Sequence, residues 1–384
     1  MTEQPPQPQP YPYQPPQPAQ GQPQPYPYQP PAQPYQPPAQ PDPYQAPAPQ
    51  YSYPPQAPYP PVPPAYYPPA KPPELPVEPM VYAQFFRTPR FAPWKAVLAG
   101  VLGVVGYLAA SMLLAIVWTV YALSTGEVTM ESLMNLDYAN IASPSFFLIN
   151  NLSLVACIGV AMLLGLAFFG QKPRWLASIE GKFRWGFLGW SLLIAVPLYV
   201  AFNLVDFFLA EDVELAWMPH TVPMILIILL TTPLQCAGEE YLFRGLINRS
   251  FGSLPKGRTA GMVCGFAVSA VVFAAAHMAT DIWLISFYLL FSAVGCLLTW
   301  KTGGLEAAIA IHVANNLVSM WTVPFSDFSG LFDRSAGAGS PLMLAQAAVM
   351  ALATALILLL AKRKNLPVEA APGAVAAMPR QEGV

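Results

Sequence analysis

The sequence predicts an all-α fold: a polytopic transmembrane helix bundle of about eight spans, preceded by a disordered Pro-rich N-terminal arm. Three observations predict it. Of 384 residues, 54% are hydrophobic and only 10% charged, whereas a soluble domain carries roughly a quarter charged residues. Apolar runs long enough to cross about 30 Å of hydrocarbon recur from residue 94 onward. Basic and acidic residues alternate from one connecting loop to the next.

Residues 1–80 come first and are the exception to the apolar character. They hold 33 of the 47 prolines and 11 of the 18 tyrosines, and the octet QPYPYQPP occurs at 9–16 and again at 24–31. Proline fixes φ and lacks an N–H, so the segment is expected to form a disordered, partly polyproline-II cytoplasmic arm. It reads as a spacer, or as a ligand for unidentified proline-binding modules. No signal-peptide pattern opens the chain.

The helical domain is expected over 81–365, with a disordered C-terminal tail over 366–384. Its spans are read at about 95–123, 146–169, 186–209, 223–246, 260–278, 282–300, 304–321 and 340–361. Arg87, Arg90 and Lys95 precede the first span, and Glu127, Glu131 and Asp137 follow it. Lys172, Arg174, Lys182 and Arg184 follow the second, and Glu211, Asp212 and Glu214 the third. Arg249, Lys256 and Arg258 follow the fourth, and Lys362, Arg363 and Lys364 end the last. Because Lys/Arg excess marks cytoplasmic loops, both termini are expected in the cytoplasm of a cell-membrane protein. Trp94, Trp175, Trp185 and Trp300 fall near the expected interfaces.

A net charge of −2 gives no support to nucleic-acid binding. Cys157, Cys236, Cys264 and Cys296 lie in apolar runs without CxxC spacing, so they read as small membrane-core residues. The partners left are membrane lipid and a membrane-associated peptide or protein.

Ionisable side chains inside spans are costly and mark functional sites. Those not explained by a span end cluster in three late spans: Glu239, Glu240 and Arg244 in AGEEYLFRGL, His277 in VVFAAAHM, and His312, Asn315 and Asn316 in AIHVANNL. Residues four apart share a helix face, so Glu240 can pair with Arg244, His312 lies beside Asn316, and Phe273 can wall His277. Arg244 then neutralises one carboxylate and leaves Glu239 free for proton work. A carboxylate, two imidazoles and a carboxamide suit amide hydrolysis by activated water. The same residues also suit interfacial anchoring and interhelical polar contacts, which would make the protein a non-catalytic membrane scaffold.

EEYLFR (239–244) fits EExxxR, FAAAH (273–277) fits FxxxH, and HVANN (312–316) fits HxxxN. In this order the motifs resemble the CPBP family of intramembrane proteases. That family includes CAAX prenyl endopeptidases and bacterial relatives linked to bacteriocin processing and self-immunity. The resemblance covers about residues 180–320, the expected protease core. It implies an endopeptidase in which Glu239 activates water with Glu240 as its partner and Arg244 as the motif arginine. His277 is then the catalytic histidine, and His312 and Asn316 bind the oxyanion. The alternative it implies is a bacteriocin self-immunity protein. It favours a metal-free mechanism with no cofactor; a zinc enzyme would use His277, His312 and Glu239 as ligands.

One tension follows from these spans. Glu239 lies toward the cytoplasmic end of its helix and His277 toward the opposite end of the next. At about 1.5 Å per residue the two would be separated by tens of ångströms in depth. Either the fourth helix continues past Ser250, or GSLPKGRTAG (252–261) is partly embedded.

Overall fold

A computed structural model describes residues 72–135, 138–209 and 214–377. Residues 1–71 of the arm expected over 1–80, and residues 378–384 of the expected tail, lie outside them. The elements run β1 (Met80–Val81), α1 (Pro93–Thr125), α2 (Met130–Met134), α3 (Tyr138–Ile141), α4 (Pro144–Phe169), α5 (Arg174–Ala177) and α6 (Trp185–Leu209). Then come α7 (Thr221–Glu239), a π-helical segment (Glu240–Ile247), α8 (Asn248–Gly252), α9 (Arg258–Ala276), α10 (Ile282–Thr302) and α11 (Glu306–Ser319). The chain ends with α12 (Met343–Arg363), β2 (Glu369–Ala370) and α13 (Pro372–Ala377).

The local signals for the long helices are plain. Pro93 and Pro144 occupy first helical turns, where the missing N–H costs nothing. Ser143 accepts from the Phe146 N–H, and Asp281 accepts from those of Trp283 and Leu284, each capping a helix start. Gly126, Gly170 and Gly303 close α1, α4 and α10 in the left-handed conformation that favours glycine.

Each of the eight apolar runs forms a helix. Among the described residues seven helices are long and apolar enough to cross a membrane, with α7, the π segment and α8 counted as one 32-residue helix from Thr221 to Gly252. The run at 304–321 differs: α11 has 14 residues, about 21 Å at 1.5 Å per residue. It packs against α6, α7, α10 and α12, and every residue from Glu306 to Ala314 is buried. Other helices surround it, so it has no lipid-facing length to satisfy.

Close helix crossings depend on small residues. A Cβ on Gly238 would stand 2.0 Å from the Leu154 carbonyl oxygen, so α4 and α7 meet backbone to backbone. Gly265 of α9 makes a similar approach to Asn248 of α8. Cys157, Cys236 and Cys296 are buried, Cys264 is partly so, and all four are free thiols.

The helical domain extends beyond its expected limits of 81 and 365. Leu75 and Met80 on one flank, and Leu366 and Ala370 on the other, lie against the core. Met80 pairs with Ala370 and Val81 with Glu369 in an antiparallel ladder. Two forces draw the N-terminal flank in. Tyr82, Phe85 and Phe86 are apolar enough to be fully buried, and buried Arg249 places its guanidinium 3.7 Å from the Tyr82 ring centroid.

Candidate active site

The site forms where the 32-residue helix changes from α to π geometry. Its residues come from that helix, α9, α10 and α11. Glu239 is the last α residue, and Glu240 to Arg244 lie on the wider π turns, all buried. Such turns are infrequent and cluster at functional sites. The Ser269 hydroxyl of α9 donates to the Phe243 carbonyl at 3.0 Å, supporting the unusual backbone.

Arg244 Nη1 approaches Glu240 Oε1 at 3.1 Å, the i, i+4 pair that the spacing suggests. The guanidinium lies 4.5 Å from the Phe273 ring centroid, and Nη2 donates to the Phe291 carbonyl at 3.5 Å. It also needs Gly295, where a Cβ would come within 2.7 Å of Arg244 Nε. Glu240 Oε1 accepts a hydrogen bond from His312 Nδ1 at 2.8 Å. An ionised carboxylate only accepts, so Nδ1 carries the proton and Nε2 is turned toward Glu239 Oε2, 4.0 Å away.

Glu239 divides its two oxygens. Oε1 accepts from Gln235 Nε2 one helical turn earlier. Oε2 is buried and makes no hydrogen bond among the described residues. It is therefore the oxygen free to take a proton. Asn316 Nδ2 donates to Gln235 Oε1 at 3.4 Å, which brings the carboxamide to the same group.

His277 joins this cluster through its rings rather than through a hydrogen bond to a carboxylate. It caps the C-terminus of α9. Its Nδ1 donates to the Phe273 carbonyl at 2.8 Å, which leaves Nε2 as the free ring nitrogen. The imidazole stacks on Tyr288 with centroids 3.9 Å apart. Phe273 lies 4.6 Å from the His277 ring and 6.3 Å from the His312 ring, so one aromatic side chain walls both imidazoles. The tension over the depths of Glu239 and His277 is met by the first of the two alternatives, a fourth helix that continues past Ser250. The fourth helix runs on to Gly252, which places Glu239 well inside it.

The structure thus gathers Glu239, Glu240, Arg244 and His312 by direct contact, Asn316 through Gln235, and His277 through Phe273. Sequence reasoning missed Gln235, whose polar signal is weak within PLQC, and Tyr288. It also read Arg184 as a loop cation. Arg184 instead grips buried Glu306 at the start of α11, with Nη2 to Oε2 at 2.6 Å and Nε to Oε1 at 3.0 Å. That clamp fixes the helix that presents His312.

The residues as arranged do not fit zinc. Among the described residues no three His, Cys, Asp or Glu side chains form a ligand group. Outside the spans, Asp281 ties the start of α10 to the loop beyond α11. The N–H groups of Leu284, Gly337 and Trp283 donate to it and hold its carboxyl below the usual carboxylate range.

Residues 219–318 match the family model described as Type II CAAX prenyl endopeptidase Rce1-like. The matched segment contains all seven residues singled out from the sequence. It also includes α7, the π segment, and α8 to α10, with most of α11. Over 191 residues the chain is 27% identical to "Uncharacterized protein YyaK" of Bacillus subtilis (strain 168), covering 48% of this chain and 63% of that protein. The matched region thus spans under two thirds of the relative's length. No solved structure matches the chain. The seven apolar helices support an integral membrane protein.

Proposed function

We propose that the protein is an intramembrane endopeptidase that cleaves a peptide bond of a membrane-associated protein or peptide with water activated by Glu239. The observation that carries this is the different partners of the two adjacent glutamates. Each leaves Oε2 without a hydrogen bond, but Glu240 Oε1 is held by Arg244 and His312, whereas Glu239 has only the neutral Gln235 amide on Oε1 and turns Oε2 toward His312 Nε2 at 4.0 Å.

Glu239 Oε2 takes a proton from water as the water oxygen attacks the scissile carbonyl. The developing oxyanion takes a donor from the second Nδ2–H of Asn316 and lies beside the His312 ring. The proton that Glu239 takes from water passes through His277 Nε2 to the departing amine. The Rce1-like match supports a substrate of CAAX type, with a prenylated cysteine near a C-terminus.

The test compares wild type with the nearly isosteric Glu239→Gln, each reconstituted in lipid. A fluorogenic farnesylated peptide ending in a CAAX sequence reports cleavage, and the new termini of membrane proteins are mapped in cells carrying each form. Wild type should produce cleavage that Glu239→Gln does not. Equal activity from both proteins refutes Glu239 as the base.

A further inference from the structure

Glu239 Oε1 is the end of a longer line of hydrogen bonds. Gln235 Nε2 donates to it, and Asn316 Nδ2 donates to Gln235 Oε1 at 3.4 Å. Asn315 Nδ2 donates to Asn316 Oδ1 at 2.9 Å. Gln346 Nε2, on α12, donates to Asn315 Oδ1 at 2.9 Å. These amides come from α7, α11 and α12, and α12 lies outside the segment that matches the protease family.

The direction of the line is not arbitrary. An ionised carboxylate can only accept, so Gln235 must turn its NH₂ toward Glu239 and its carbonyl toward Asn316. Asn316 must then donate, Asn315 must donate to Asn316, and Gln346 must donate to Asn315. Each amide points its dipole the same way, and hydrogen bonds in series strengthen one another where water is excluded.

We propose that Gln235, Asn316, Asn315 and Gln346 form a one-directional amide relay that fixes Oε1 of Glu239, leaves Oε2 for the reaction, and makes Gln235 and Gln346 positioning residues. The proposal rests on Glu239 being the base. It gives α12 a part in catalysis without any contact with the reacting atoms. The relay's order depends on the charge of Glu239: a neutral group there can donate as well as accept, and the amides lose their enforced direction.

Two measurements on the full chain test this. The first needs no substrate. Thermal unfolding in lipid nanodiscs is followed for wild type, Gln346→Leu, Glu239→Gln and the double variant. Gln346→Leu should lower the unfolding midpoint in wild type and change it much less beside Glu239→Gln. The same drop in both backgrounds overturns the relay, because a merely structural contact would be lost equally in each.

The second uses the farnesylated peptide. Gln235→Met and Gln346→Leu should each lower kcat about tenfold, the scale of one charge-assisted hydrogen bond, with KM within about twofold. Gln346→Glu should recover toward wild type at acid pH, where its protonated carboxyl can donate. Wild-type kcat in both Gln235→Met and Gln346→Leu, with Glu239→Gln inactive, overturns the relay and leaves the proposed function standing. Activity in Glu239→Gln overturns both.

Discussion

His312 Nδ1 and Glu240 Oε1 stand 2.8 Å apart, and Arg244 Nη1 approaches that same oxygen at 3.1 Å. One carboxylate oxygen thus joins the π segment to α11. Replacing Glu240 with alanine leaves the buried guanidinium without its carboxylate. Breaking one partner of a buried pair costs about 3–5 kcal/mol. Glu240→Ala should therefore unfold well below wild type in detergent, and adding Arg244→Met should recover much of the loss. A thermal scan of the three variants checks this, and an unchanged midpoint for Glu240→Ala would rule out the pair as a structural tie.

Gly295→Ala separates position from stability. Its Cβ would meet Arg244 Nε at 2.7 Å, so the guanidinium must move away from Glu240. Overpacking of this kind costs typically 1–3 kcal/mol, which the bundle should survive. Cleavage should fall more than tenfold while the protein still inserts and elutes as wild type.

Asp281 supplies a pH dependence whose sign is fixed. Its carboxyl is held below the usual range by the Leu284, Gly337 and Trp283 N–H groups. Its contribution is therefore complete above the unfolded carboxylate value and is lost as pH falls through the lowered one. Limited proteolysis of the loop over 326–342 should accelerate in that acid range for wild type. In Asp281→Asn the loop should be cut faster already at neutral pH, with a flatter acid response.

Chelation gives a fourth outcome. Peptide cleavage should survive prolonged treatment with a strong chelator, because the role proposed for Glu239 is that of a base. Loss of activity restored by added zinc would instead make Glu239 a ligand.

Truncation tests the flanks. Removing residues 1–71 should leave cleavage of the small peptide unchanged. Removing residues through Phe86 should not, because it strips the aromatic rings from buried Arg249 and removes the Tyr82 hydroxyl that donates to the Leu176 carbonyl. Expression and activity of the two truncations compared side by side measure the difference.

The site was unevenly legible in the sequence. Charges in apolar runs stand out because hydrocarbon tolerates them poorly, so Glu239, Glu240, Arg244 and the two histidines could be found one by one. The i, i+4 rule also anticipated the contact of Glu240 with Arg244. It could not anticipate π turns, which depend on tertiary partners such as Ser269, nor how far the fourth helix continues. Gln235 and Gln346 stayed hidden because a lone amide in a span resembles ordinary interhelical contact. Arg184 was misread because loop position alone does not show a partner 122 residues away.

The short ladder of Met80–Val81 with Glu369–Ala370 has a topological consequence. Backbones that share hydrogen bonds must share one aqueous compartment. The chain between them therefore crosses the bilayer an even number of times. Seven long helices alone give an odd number. Parity then requires α11, enclosed by its neighbours and too short to face lipid, to complete a crossing. The helix that carries His312 is thus the one that takes the chain away from the side on which it started, and α12 returns it.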